Sequence, residues 1–378
     1  MIQVTRYYEE FLRYFEMAKT QQAECNLGSI KHAHGSVSDD LMRHVELYDV
    51  VERKYAGFTQ ILLDMWFGDT PAHPYHGRLH AVRAPIATDA TLREHYSIEE
   101  WLYVFIVHRI TGSAINYAKK PSGYHNTVLP ELNLCSSIPE MIEAIRKRAA
   151  SDRPMYTSVG YQFPAFPKAP EGYKRGGDYF LCEMAPDLAR RLGDFLVDGG
   201  KKTLREIGEF MFAWNREKGL RAYKFQYAAV IADIADFFPG LVDTFSPFYY
   251  GSNAAECISY LAKPTKRGDR TVFLDAVMDR IALDTGARHY DAEDVACDFI
   301  RYIENYIRPG ADYSHLCRDS VWNSSSIIDH PFGRQKAMLD LGLIKSFNDL
   351  DVHPSDDYVL SRAGVAPDDY VAMVELLS

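Results

Sequence analysis

Apolar residues recur three and four positions apart through most of the chain, first at Tyr8, Phe11, Leu12 and Phe15 and again at Phe58, Ile61, Leu62, Met65 and Trp66. That spacing lines one face of a helix, whereas a half-buried strand alternates every second residue. Further helical patterns lie at 97–111, 139–150, 184–197, 203–218, 222–237, 254–262, 271–284, 291–307, 332–345 and 366–377, and convincing strand alternation is hard to find. Several patterns open on residues that cap a first helical turn: Ser97 before Ile-Glu-Glu-Trp, Ser137 before Ile-Pro-Glu-Met and Asp291 before Ala-Glu-Asp-Val. The pattern predicts a mainly α fold.

Three irregular stretches interrupt it. Residues 71–85 form a Pro- and His-rich connector, 119–127 a Gly/Pro turn, and 156–179 a long loop. A loop of that length inside a compact domain is usually functional. There is no internal repeat and no low-complexity tract.

With 378 residues, 47% of them apolar, the chain is long enough to bury a core of ordinary size, as one large domain or two closely packed lobes. The expected division is an N-terminal helical lobe at 1–95, a catalytic helical core with basic loops at 96–310, and an acidic helical segment at 311–378 packed on that core. The net charge of −10 argues against a chain that coats nucleic acid by bulk electrostatics. Its distribution changes the picture: residues 101–178 hold ten Lys/Arg against six Asp/Glu, while residues 281–378 hold eight against seventeen. A focused basic cleft on an acidic body is the sharper expectation. The six cysteines are scattered, with no pair at metal-ligand spacing, and no window approaches eighteen uninterrupted apolar residues. These features predict a protein of a reducing cytoplasm that neither spans a membrane nor is exported.

Four segments hold groups able to do chemistry. Between Glu100 and Glu131 there is no acidic residue, while His108, Arg109, Thr111, Lys119, Lys120, His125 and Asn126 supply cations, a hydroxyl and an amide. That set suits a phosphate, for which arginine is a bidentate donor, and equally suits an ordinary helix C-terminus whose dipole favours cations. The loop at 156–179 interleaves aromatics and cations, among them Tyr161, Phe163, Lys174 and Arg175, in the way that stacks unpaired bases and tracks their phosphates. It is also what a loop pinned to the core by its own aromatics looks like. Along 225–243, Gln226 and Asp233 share a helical face, and the turn Gly251, Ser252, Asn253 opens the next helix with exposed N–H groups that either bind an anion or belong to an ordinary cap. In 290–310, Asp294, Asp298 and Arg301 share one face and Glu293 stands beside it, as a base near a cationic site or as a salt-bridged solvent face. His73, His76 and His80 fit no complete zinc set, since Pro71 and Pro74 interrupt the helix and no further ligand is near.

In order and spacing, over roughly residues 100–310, these segments resemble the phage α-glutamyl/putrescinyl-thymine pyrophosphorylases, or amino acid:DNA transferases, a family whose fold is like that of helix-hairpin-helix DNA glycosylases. The resemblance runs through the Arg-Ile-Thr end of the helix from Phe105 to Thr111, the Gln226 and Asp233 helix, the Gly251–Ala254 turn, and the helix carrying Glu293, Cys297, Asp298, Phe299 and Tyr302. Ser252 and Asn253 replace Pro-Gly of the family's turn, and His108 stands where Asn is expected. A weaker similarity at 330–365 places Asp351 and His353 at the glycosylases' catalytic Asp region. The resemblance implies a mainly α, glycosylase-like fold and a transferase that flips a 5-pyrophosphoryloxymethyl-uracil base out of phage DNA and replaces its pyrophosphate with the amine of an amino acid or polyamine. Arg109, Lys119 and Lys120 with the Gly251 turn would cradle the leaving pyrophosphate, and Asp233, Glu293 or Asp298 would deprotonate the amine. No cofactor is specified by the sequence, and a Mg2+ ion could accompany the pyrophosphate. The competing expectations are a helix-hairpin-helix DNA glycosylase and a DNA-binding accessory protein without chemistry of its own.

Overall fold

The computed structural model describes residues 2–26, 51–55, 59, 62–63, 66–67, 88–111, 128–151, 166–221, 223–266 and 268–302. Within them the protein is mainly α. The helices are α1 Arg6–Asn26, α2 Asp89–His95, α3 Ile98–Thr111, α4 Leu129–Leu132, α5 Ile138–Ala150, α6 Gly176–Tyr179, α7 Ala185–Val197, α8 Leu204–Glu217, α9 Lys224–Phe237, α10 Ser252–Leu261, α11 Arg270–Thr285 and α12 His289–Tyr302. The long ones follow the apolar spacing, whereas α2 and α4 match no predicted pattern and α6 is a helical turn inside the stretch 156–179 expected to be loop. A π-helical turn, Phe180–Met184, joins α6 to α7, and Arg53–Tyr55 forms a 3-10 turn. The patterns at 332–345 and 366–377, like the whole expected segment 311–378 with Asp351 and His353, lie outside the described residues.

Two short ribbons escape the periodicity. β1, Ile2–Val4, runs antiparallel to β4, Ala262–Pro264, with Gln3 opposite Lys263. β2, Lys202–Thr203, lies parallel to β3, Val242–Asp243. Segments this short carry too few alternations to register as strands in the sequence.

α3 forms the centre of the first core, and all of its residues from Trp101 to Thr111 are buried. Ser97 and Glu100 start the helix with a reciprocal pair of bonds, the Ser97 amide donating to Glu100 Oε2 at 2.8 Å and the Glu100 amide to Ser97 Oγ at 3.3 Å. A helix apolar on every side has no solvent face to keep, so α7 and α9 cover it. The second core gathers α1, α10, α11 and α12 around Phe11, Phe15, Ile258, Val277 and Phe299. The described part of 1–95 is therefore divided: α1 joins the second core, while Leu62, Leu63 and Trp66 join the first.

Candidate functional site

The site lies where α9 of the first core meets α12 of the second. α9 is apolar around most of its surface, so its carboxylates Asp233 and Asp236, one turn apart, are carried into the interior. α12 begins at His289 and brings Asp291, Glu293 and Asp294 towards them. Buried carboxylates require partners, and each of these has one.

Asp233 takes the guanidinium fork of Arg109 from the end of α3, Nε to Oδ2 at 2.7 Å and Nη2 to Oδ1 at 2.5 Å. Both side chains are 2% exposed, and Arg109 Nη2 also donates to Thr59 Oγ1 at 2.9 Å. The residue expected to hold phosphate and the residue expected to act as base thus neutralise each other. The fork of Arg109 faces a carboxylate in the core and is not presented to a ligand. Thr111, expected in the same phosphate cradle, donates its hydroxyl to the Val107 carbonyl of its own helix at 2.8 Å, and His108 is fully buried. Gln226 is buried near the start of α9, roughly 10 Å along the helix axis from Asp233.

The Gly251 amide, expected to meet an anion, meets one from the protein: it donates to Glu293 Oε1 at 2.9 Å. A Cβ at position 251 would stand 3.1 Å from that oxygen, so the absence of a side chain lets the carboxylate approach. Ser252 is exposed in the first turn of α10. The side chains of Asn253 and Asp298 lie outside the described residues, as do Lys119, Lys120, His125, Asn126, Tyr161 and Phe163.

Four groups that did not stand out in the sequence, Arg53, Asp236, Arg288 and Tyr290, join these two pairs. Arg288 donates Nη1 to Asp236 at 2.8 Å and Nε and Nη2 to Asp291 at 2.5 and 3.0 Å. Tyr290 donates its hydroxyl to Asp236 at 2.8 Å. Arg53 holds Asp294 at 2.7 Å and gives its backbone amide to Asp291 at 3.4 Å. Asp291, predicted as a helix cap, instead lies inside the first turn of α12 with its carboxylate buried, because the helix starts two residues earlier. Burial pushes its carboxyl up to about 7 against the opposing pull of Arg288. Burial raises Asp236 and Glu293 as well, offset in part by Arg288 and Arg53 respectively.

A second polar chain braces the same junction. Arg205 grips Asp275 through Nη1 and Nη2 at 2.8 and 2.5 Å, Tyr250 donates to Asp275 at 2.8 Å, and the buried His289 lies between Tyr250 at 3.2 Å and Asp279 at 3.0 Å. Burial lowers the His289 pKa, with Asp279 and Asp275 opposing.

Lys174 and Arg175, expected on a nucleic-acid wall, stand elsewhere. Lys174 is exposed at the mouth of a cavity of about 570 Å³ lined by Arg146, Tyr173, Asp178, Cys182 and Glu183, and Arg175 precedes α6. Arg146 pairs with Glu183 at 2.8 Å, and the π-helical turn presents Cys182 and Glu183 to the cavity. Among the described residues no group of three or more His, Cys, Asp or Glu is arranged to hold a metal. No described helix is long and apolar enough to cross a membrane. Compared with known proteins, the chain matches no family model, no curated protein and no solved structure.

Proposed function

We propose that the protein is a DNA-modifying transferase, which displaces pyrophosphate from a 5-pyrophosphoryloxymethyl-uracil base with the amine of an amino acid or polyamine. One observation carries this reading. Four elements that the family resemblance singles out, spread from Arg109 to Glu293, meet at one charged junction through Arg109 with Asp233 and Gly251 with Glu293. Ordinary packing of amphipathic helices calls for apolar contacts at such a junction, not four carboxylates held by three arginines and a fifth held by a backbone amide.

In this reading the base leaves the duplex stack, at a cost of a few kcal/mol, and presents its exocyclic carbon to the junction. An ammonium donor gives a proton to a carboxylate of the cluster, and the resulting amine attacks that carbon. The carbon–oxygen bond breaks and its electron pair departs with pyrophosphate, which the cations of residues 112–127 would neutralise. Arg109 serves as a positioning residue that fixes Asp233.

The test is mass spectrometry of nucleosides from DNA incubated with the protein and a mixture of amines, with and without prior pyrophosphorylation. An amine adduct on pyrophosphorylated DNA alone is the expected result. Release of free base with abasic sites would make the protein a glycosylase, and unchanged nucleosides with salt-dependent binding would make it an accessory binder. Glu293→Gln should lower adduct formation by about 100-fold or more, the scale of a lost general base.

A further inference from the structure

Asp236 and Asp291 come from helices of different cores and share the guanidinium of Arg288. Their side chains are 2% and 3% exposed. Two carboxylates against one guanidinium leave an excess negative charge out of water, and a single bound proton removes it. Among the described residues no second guanidinium pairs with either carboxylate. Asp233, from the same helix, adds repulsion and is itself matched to Arg109; Arg53 offers Asp291 its backbone amide while its guanidinium holds Asp294; Tyr290 contributes a neutral donor to Asp236. Lys54 attracts Asp236 from the 3-10 turn while its ammonium pairs with Glu52 at 2.6 Å.

We propose that Asp236 and Asp291 hold one proton between them across Arg288 and form a proton-operated latch, which keeps α9 locked to α12 while the proton is bound. The two helices carry Asp233 and Glu293, so the latch sets the distance between the two halves of the site. Asp236 and Asp291 are positioning residues, and their bearing on turnover rests on the transferase reading above. The titration belongs to the pair and not to either carboxyl separately. Burial raises both carboxyls, so the shared proton is lost only above the ordinary carboxylate range. Loss of the proton leaves two like charges on one cation, which favours separation of the helices.

Infrared difference spectroscopy of the full chain tests the proton directly. The expected signal is a protonated carboxyl band that disappears as pH rises, with a midpoint above the ordinary carboxylate range. It should be missing in Asp236→Asn and Asp291→Asn and unchanged in Asp194→Asn, whose carboxylate is solvent-exposed. Tyr290→Phe removes a donor to the ionised form and should raise the midpoint by roughly one pH unit while preserving the aromatic packing. Hydrogen exchange reads the latch itself: after correction for intrinsic rates, the amides of α12 should lose protection as pH passes the same midpoint. The absence of a titrating carboxyl band, its survival in both Asn variants, or protection in α12 that ignores the midpoint would overturn the proposal. Should the Asn variants fail to fold, an unchanged midpoint in Tyr290→Phe overturns it alone. A titrating band with no amine transfer under any condition sinks the transferase reading and leaves the latch standing, whereas transfer with a flat pH profile through the midpoint shows the latch to be irrelevant to turnover.

Discussion

Arg109 illustrates how far a residue's surroundings alter its meaning. In sequence it is a cation in an acid-free stretch, suited to phosphate; in the fold its planar fork closes on Asp233 in the core. Removing one partner of such a pair strands a buried charge, so Arg109→Ala should cost about 3–5 kcal/mol of stability in urea denaturation, where an exposed phosphate ligand would cost almost nothing. Arg109→Lys retains the charge and loses the bidentate geometry, and should recover only part of that loss. Asp291 gives the second prediction at this scale. Burial raises its folded carboxyl above its unfolded value, in a titration shared with Asp236, so the stability it lends is complete below the unfolded pKa and is lost as pH rises through the folded one. The stability difference between the native protein and Asp291→Asn should therefore fall as pH rises above the ordinary carboxylate range and level off once the shared proton is lost. A difference independent of pH would refute the assignment. Neither behaviour is legible in sequence, because both follow from a partner or a burial contributed by another helix.

At the scale of elements much more was legible. Helix starts are local: Thr203 and Glu206 cap α8 reciprocally, the Glu206 amide donating to Thr203 Oγ1 at 3.2 Å and the Thr203 amide to Glu206 Oε2 at 2.7 Å. Replacing Thr203 by Ala should lower the unfolding free energy by about 1 kcal/mol. Helix ends are local too, as at Gly286, whose left-handed φ of 74° terminates α11 without strain. α3 is the element on which the first core depends, and Phe105, packed against Trp101, Phe237 and Phe238, is fully buried. Phe105→Ala should cost about 3–5 kcal/mol, measured by the same denaturation. The limits of local reading show at α12. Asp291 resembles a cap because an acidic residue before a helical pattern usually is one, yet the helix begins at His289, where Tyr250 and Asp279 hold the imidazole.

The whole molecule is organised by the pairing of distant segments. α1 closes the second core through Phe11 and Tyr14 against Phe299, and β1 adds a ribbon with β4. Phe11→Ala should loosen α10 and α12 more than α3, a contrast that residue-resolved hydrogen exchange measures directly. Equal loosening of all three helices would mean that the two cores unfold as one unit. The charged junction belongs to this scale, since Arg205 with Asp275 and Arg288 with Asp236 tie segments of one core to segments of the other.

The sequence alone determined the helical class, most helix boundaries and which segments hold ionisable groups, because spacing, caps and composition act over a few residues. Tertiary structure alone decided what those groups do. It gave Arg109 to Asp233 and Gly251 to Glu293, and it drew Arg53, Asp236, Arg288 and Tyr290 into the site although none stood out in the chain. The physical reason is that a charge acquires its role from the partner and the water it keeps or loses on burial, and both are settled only when helices far apart in the chain pack together.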